Sequence, residues 1–182
     1  MFNKEKQIQL SRADFSKKGS IDSKIKKLVD KINSKKDYYT TSSCSGRIML
    51  IAEGKTKRDA KWIFVSHNKA KLAEMKKSLK KMPKETLWFK FEPMILHVCC
   101  DSIDSAQKMV DLAKQSGFKH SGIMSSGKRI IAELRGTDFI SAPVAFSGKM
   151  SVDNNYLKRI LIEANKKLEK NYEKIKKFMA CF

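Results

Sequence analysis

The chain has 182 residues, 41% hydrophobic and 32% charged, with 39 basic against 19 acidic side chains and a formal charge of +20. That length suits one domain or two small lobes with a packed core. Like charge of this size opposes compaction unless an anion meets it, which favours nucleic acid over an acidic membrane surface or a small anion. No apolar run approaches the roughly 20 residues needed to cross a bilayer. The four cysteines have no CxxC or framework spacing, so a metal cluster is not expected and a reducing, cytoplasmic setting is.

The first 19 residues lack the apolar centre of a secretory signal. Ser20 reads as an N-cap for a helix whose stripe is Ile21, Ile25, Leu28, Val29 and Ile32. Strand patterns follow at Tyr38–Ser43, Arg47–Glu53 and Lys61–Ser66. A lysine-rich helix is expected over residues 69–81, with Leu72, Met75, Leu79 and Met82 on its apolar side and Pro83 closing it. Leu87–Cys100 has strand density but contains Pro93, so it reads as two strands or one bent at Glu92–Pro93. A helix is predicted from Ser102 to Ser116, with Ile103, Ala106, Val110 and Ala113 inward and Gly117 ending it. Strands are predicted near Lys119–Met124, Arg129–Leu134 and Phe139–Phe146. The last helix spans about 152–178, with Val152, Tyr156, Ile160, Ala164, Leu168, Tyr172, Ile175 and Met179 as its buried face.

Shifted by 82 residues, Ser20–Gly54 aligns without a gap over Ser102–Gly136, with ten of 35 positions identical. Helix, strand, strand, strand, helix recurs in both halves, which argues for duplication. The expected architecture is a single domain over 1–182, α+β and not Rossmann-like, with a mixed sheet. Its pseudo-duplicated halves, about 20–82 and 102–178, would form two lobes joined by 87–100.

Thr40–Ile48, TTSSCSGRI, is small and hydroxyl-rich in a lysine-rich chain. Cys44-Ser45-Gly46 falls where a hairpin turn belongs, with Gly46 able to take positive φ. The alternative reading is an anion site, with hydroxyls and backbone N–H groups beside the planar fork of Arg47. Ser125–Arg129 is its counterpart in the second half. Cys44 is a candidate nucleophile, although a packed thiol is the commoner case. His67 ends an apolar strand, His97 alternates with apolar neighbours, and His120 opens a strand; a structural role is the default for each. Glu92 is a carboxylate in an apolar strand and needs a partner, for which Lys90, two residues back, is placed. No Walker loop, GxGxxG or HExxH is present.

Six stretches together are similar to the tRNA wybutosine-synthesising protein 3 family. They are RADFSKKGSID (12–22), YYTTSSCSGRI (38–48), WIFVSH (62–67), FKFEPMILHVCC (89–100), SGFKHSGI (116–123) and the last helix from Ala164 to Phe178. The resemblance implies an S-adenosylmethionine-dependent methyltransferase with a non-Rossmann fold. Its substrate would be N-4 of a tricyclic imidazopurine at nucleotide 37, in the anticodon loop of tRNA for phenylalanine. The matched positions Asp14, His67 and His97 are candidate bases. Ser42, Ser43, Cys44, Ser45 and Arg47 would line the pocket, Lys18 and Arg135 would meet a phosphate or the cofactor carboxylate, and Glu92 with Lys90 would meet ribose hydroxyls. Some members have Ala where Ser45 stands, so that hydroxyl is not expected to react. A non-catalytic basic RNA-binding module is the alternative.

Overall fold

A computed structural model describes residues 2–11, 20–56, 59–80 and 82–182. In chain order the elements are α1 (Phe2–Ser11), α2 (Ser23–Asn33), β1 (Tyr38–Cys44), β2 (Arg47–Ala52), β3 (Lys61–Ser66), α3 (Leu72–Ser78), β4 (Leu87–Glu92), β5 (Ile95–Cys100), α4 (Ile103–Gln115), β6 (Gly122–Ser126), β7 (Ile130–Arg135), β8 (Ile140–Phe146), β9 (Lys149–Met150) and α5 (Asn154–Cys181). The α+β, non-Rossmann architecture is present; the first half runs helix–strand–strand–strand–helix, and the second adds the two-residue β9 before its last helix.

The strands form two sheets, ordered β1-β5-β7-β6 and β3-β2-β4-β8-β9. All strand pairings among the described residues are antiparallel, so the expected mixed sheet does not form. Each sheet keeps one face with polar side chains, an arrangement that antiparallel pairing tolerates and parallel pairing rarely does. The chain divides into two compact units. The first is Met1–Ser45, Met94–Thr137 and Asn171–Phe182; the second is Gly46–Pro93 and Asp138–Lys170. Each unit thus draws on both repeat halves. Ser45/Gly46 and Pro93/Met94 are points where the chain passes from one sheet to the other.

The core of the first unit is built by period. On β5, Leu96, Val98 and Cys100 are buried beside Ala132 and Leu134 of β7. Against them pack Ile25, Leu28, Val29 and Ile32 of α2, Ala106, Met109, Val110 and Ala113 of α4, and Ile175 and Phe178 of α5. Phe118 meets Phe178 edge-on, with ring centroids 6.2 Å apart. Each Leu, Ile, Val, Met or Phe side chain among them contributes about 1.5–3 kcal/mol on burial. Ser102 caps α4 by accepting from the Ser105 N–H at 3.1 Å, and Gly117 follows with φ +100°, as a helix C-terminus requires.

The second unit buries Leu87, Phe89 and Phe91 on one face of β4 and leaves Trp88, Lys90 and Glu92 partly exposed on the other. Its helical contribution is Met75 of α3 and Leu157, Leu161, Ala164 and Leu168 of α5. Asn165 ties α5 to the approach to α3, accepting from the Ala70 N–H at 2.9 Å and donating to its carbonyl at 3.0 Å.

Several local expectations change. Asp22, not Ser20, is the N-cap of α2, and Ile21 is exposed. Ile103 also faces solvent rather than inward. In the first turns of α5 the buried stripe is Leu157 and Leu161, one residue on from Tyr156 and Ile160. The helix α1 has no apolar stripe and no buried residue, and so leaves no periodic signal. Among the described residues, no helix is long and apolar enough to cross a membrane.

Candidate functional site

Thr40–Arg47 is not a hairpin. β1 pairs with β5 in the first unit and β2 pairs with β3 and β4 in the second, so Cys44-Ser45-Gly46 carries the chain between two sheets. Gly46 takes the expected positive φ, +97°. The pairing of β1 with β5 shifts between Thr40 and Ser42. One extra residue in a strand reverses the facing of everything beyond it. Thr40 faces α2, where its N–H and hydroxyl both reach Asn33 Oδ1, at 2.8 and 3.2 Å. After the bulge at Thr41, Ser42 pairs with His97 instead and shares its face.

The consequence is a polar row across three strands of the first unit. Ser42 Oγ lies 2.8 Å from His97 Nδ1, and His97 Nε2 lies 2.9 Å from Glu133 Oε2. Ser42, His97 and Glu133 are cross-strand register partners. A carboxylate only accepts, so Nε2 carries a proton, and in the neutral ring Nδ1 accepts from the Ser42 hydroxyl. Leu96 and Val98 point into the core, which leaves His97 and Glu133 on the opposite face with side chains 24% and 25% exposed. Ser43 faces Leu96, and half-buried Cys44 faces Ile95.

Ser45 is fully buried and serves as an anchor. Asp22 Oδ2 accepts from its N–H at 3.0 Å and its hydroxyl at 3.2 Å. Asn171 Nδ2 donates to the Ser45 carbonyl at 2.8 Å, while Asn171 Oδ1 accepts from the Met94 N–H at 2.8 Å. Tyr172 bonds the Ser45 side chain, and burial pushes its hydroxyl up to about 12. One short segment is thus held by α2, by α5 and by the turn before β5.

In the second unit Arg47 and Glu92 face each other on β2 and β4. Arg47 Nε and Nη2 both donate to Glu92 Oε2, at 3.1 and 2.8 Å. The guanidinium carbon sits 4.5 Å from the centroid of the Trp62 ring. Glu92 is therefore paired with Arg47, not with Lys90, whose ammonium lies 5.8 Å from the Trp88 ring centroid. Lys90 and Glu92 do share a face, but an arginine directly opposite offers two donors to one oxygen. His67 Nδ1 donates to the Gly46 carbonyl at 3.0 Å, leaving Nε2 as the lone-pair nitrogen of the neutral ring.

Arg135 ends β7 and is half-buried. In the counterpart loop, Ser125 donates to the Arg129 carbonyl at 3.0 Å and the Arg129 guanidinium pairs with Glu5 at 3.2 Å, so the second anion grip is occupied by an internal carboxylate. Asp14 and Lys18 lie outside the described residues. Glu133, Asp22 and Asn171 were not singled out from sequence. Glu133 had a signal: it is the lone charge between buried Ala132 and Leu134, as Glu92 is between apolar neighbours.

A family model described as Methyltransferase TYW3 matches residues 4–182. The chain is 38% identical over 186 residues to the tRNA wybutosine-synthesizing protein 3 homolog of Danio rerio, covering 99% of this chain and 74% of that one. It is 37% identical to a protein of Thermococcus sibiricus named tRNA(Phe) 7-((3-amino-3-carboxypropyl)-4-demethylwyosine(37)-N(4))-methyltransferase, covering 97% and 95%. The solved structure of the PH1069 protein from Pyrococcus horikoshii superposes with a TM-score of 0.91 at 36% identity, covering 98% of this chain and 94% of that one. The match in sequence and in fold runs over nearly the whole length, and this chain belongs to the Methyltransferase TYW3 family.

Proposed function

We propose that this chain transfers a methyl group from S-adenosylmethionine to N-4 of the tricyclic imidazopurine at nucleotide 37 of tRNA for phenylalanine. The name of the Thermococcus sibiricus relative, similar over 97% of this chain, supports the substrate. The formal charge of +20 suits a polyanionic partner. The Ser42–His97–Glu133 row is the observation that carries the chemistry.

Two features of the second unit fit the donor. An adenosine needs a flat apolar face and an acceptor for its ribose hydroxyls. Trp62 is 39% exposed, and Glu92 Oε1 makes no hydrogen bond among the described residues while Oε2 holds Arg47. When bound, the donor supplies an electrophilic methyl on a sulfonium. Arg47 keeps the Glu92 carboxylate fixed and the Trp62 ring in place. Ser42 and Cys44, on one face of β1, present small side chains that let a flat ring approach, Ser43 is set on the other face, and Ser45 keeps that backbone still. Lys18 and Arg135 would meet phosphate or a carboxylate.

The ring nitrogen must lose a proton. The Ser42 hydroxyl can accept it while passing its own to His97 Nδ1, and the Glu133 carboxylate then faces the imidazolium formed. This is the division of labour of a hydroxyl–imidazole–carboxylate row, used here for proton removal rather than covalent attack. His67, with a lone pair on Nε2, and Asp14 are the other candidate bases. The free thiols agree with a cytoplasmic setting.

The test has two arms. Saturating S-adenosylmethionine should raise the melting temperature; at 100 times its Kd the stabilisation is about 2.7 kcal/mol. Ser42→Ala and His97→Gln should each slow methyl transfer by about 100-fold or more while keeping tRNA affinity, the range for a lost general base. No thermal shift would remove the donor assignment. Full activity in both variants would remove the row from the chemistry and leave His67 or Asp14.

A further inference from the structure

The first unit holds a cavity of about 350 Å³ where the start of α2 lies beside the end of α5, lined by Lys24, Lys27, Leu28, Tyr172, Lys176 and Met179 among others. Its chemistry is divided. Leu28 is buried and Met179 half-buried, and together with the Tyr172 ring they make an apolar wall, while three exposed ammonium groups stand along the rim. Lys24 and Lys27 differ from their neighbours on α2. Lys26 is paired with Asp30 at 2.7 Å, and Lys31 donates to the Met179 carbonyl at 2.8 Å. Lys24, Lys27 and Lys176 have no acidic partner among the described residues; Lys24 lies 5.7 Å from the Tyr172 ring centroid. Three uncompensated cations along one groove favour an anion, and a chain of phosphates answers them better than a single small anion. No buried polar side chain converges on one point, and lysine acts as a point charge that tolerates spread-out phosphates.

One wall of the groove also touches Ser45, at the end of the small hydroxyl-rich segment. Tyr172, in its wall, bonds Ser45 through its hydroxyl. Lys24 lies two residues beyond Asp22, whose carboxylate holds the Ser45 N–H. A strand that reaches Ser42 from this groove would round the edge of the sheet that β1 forms.

We propose that this groove binds the sugar–phosphate strand of the substrate tRNA next to the nucleotide being methylated. Lys24, Lys27 and Lys176 contact successive phosphates, and the Tyr172 ring with Leu28 and Met179 takes the apolar face of a sugar or base. The proposal rests on the functional reading above for the identity of the strand.

The test compares two triple variants of equal charge change. One is Lys24→Ala/Lys27→Ala/Lys176→Ala. The other, a control on exposed residues elsewhere in the same unit, is Lys108→Ala/Lys114→Ala/Lys119→Ala. Dissociation constants for tRNA are measured across a salt series, with circular dichroism and melting temperature checking the fold. Each lost phosphate contact removes about 0.7–0.9 from the slope of log affinity against log salt, so the groove variant should lose about 2–3 and the control almost nothing. Equal losses in the two variants would overturn the proposal, because only net charge would then matter. An unchanged slope in the groove variant, or a loss seen with anionic lipid vesicles and not with tRNA, would overturn it as well. Wild-type protein that binds tRNA through this groove yet transfers no methyl group would refute the functional reading and leave the groove standing.

Discussion

Glu133→Gln changes one atom type in the row that carries the proposed chemistry. Gln is nearly isosteric and can still accept from His97 Nε2 through its amide oxygen, but it carries no charge. It can also present its NH2 group, which would drive the imidazole proton to Nδ1 and remove the acceptor that Ser42 needs. The contact at risk is 2.9 Å long between side chains about one quarter exposed. A hydrogen bond to a charged group is worth about 1.5–3 kcal/mol, which corresponds to about 10- to 150-fold in rate at about 1.4 kcal/mol per decade. Single-turnover methyl transfer at saturating tRNA should fall by that factor, with tRNA affinity within about twofold and folding stability within about 1 kcal/mol, because water can reach the site. Nitrogen-15 chemical shifts of His97 should report Nε2–H in the native protein and a changed tautomer population in the variant. A Glu133→Gln enzyme with native rate and native tautomer would refute the reasoning.

Other perturbations follow from the same contacts. Arg47→Lys cannot both fork onto Glu92 Oε2 and lie over Trp62. It should cost no more than about 2 kcal/mol of stability, change the tryptophan fluorescence and lower activity at least tenfold; native fluorescence and rate would contradict the role given to Arg47. Cys44→Ala should retain activity within about threefold, and a loss of 100-fold or more would restore the thiol as a nucleophile. Burial pushes the Cys100 thiol from 9.0 up to about 12. The folded chain therefore holds a proton that the unfolded chain releases, so this contribution to stability is complete below about pH 9 and is lost as pH rises towards 12. Denaturation midpoints between pH 8 and 11 should fall more for the native protein than for Cys100→Ala; parallel curves would contradict it.

What the sequence made legible was local. Lys61–Ser66 is a strand at its expected ends, Pro93 does divide Leu87–Cys100, and Ser102 and Gly117 do bound a helix. Each is decided by residues within one element. What it hid was which sheet a strand joins. Cys44-Ser45-Gly46 has the composition of a hairpin turn and positive φ at the glycine, yet β1 pairs with β5 and β2 with β4, strands that lie far along the chain rather than across the turn. The same blindness assigned Glu92 to Lys90 on its own strand when Arg47 stood opposite. It also left Glu133 unnoticed, because only register places it beside His97. The bulge at Thr41 had no local marker and yet decides which face Ser42 occupies. The apolar period starts the last helix two residues early and sets its stripe one position early for the first two turns, where Tyr156 and Leu157 are both apolar. We propose that the gapless match of Ser20–Gly54 with Ser102–Gly136 reflects duplication; each compact unit draws on both halves.

The proposed function requires that the chain move a methyl group onto one nitrogen of a modified purine. The direct measurement is transfer from methyl-labelled S-adenosylmethionine to tRNA for phenylalanine carrying the unmethylated tricycle, with unmodified tRNA as the control and the nucleoside at position 37 identified by mass after digestion. Label is expected in that nucleoside, one methyl group heavier and substituted at N-4, with almost none in the unmodified control. Tight binding of the tricyclic tRNA with no label transferred, or label at another nucleotide, would contradict it.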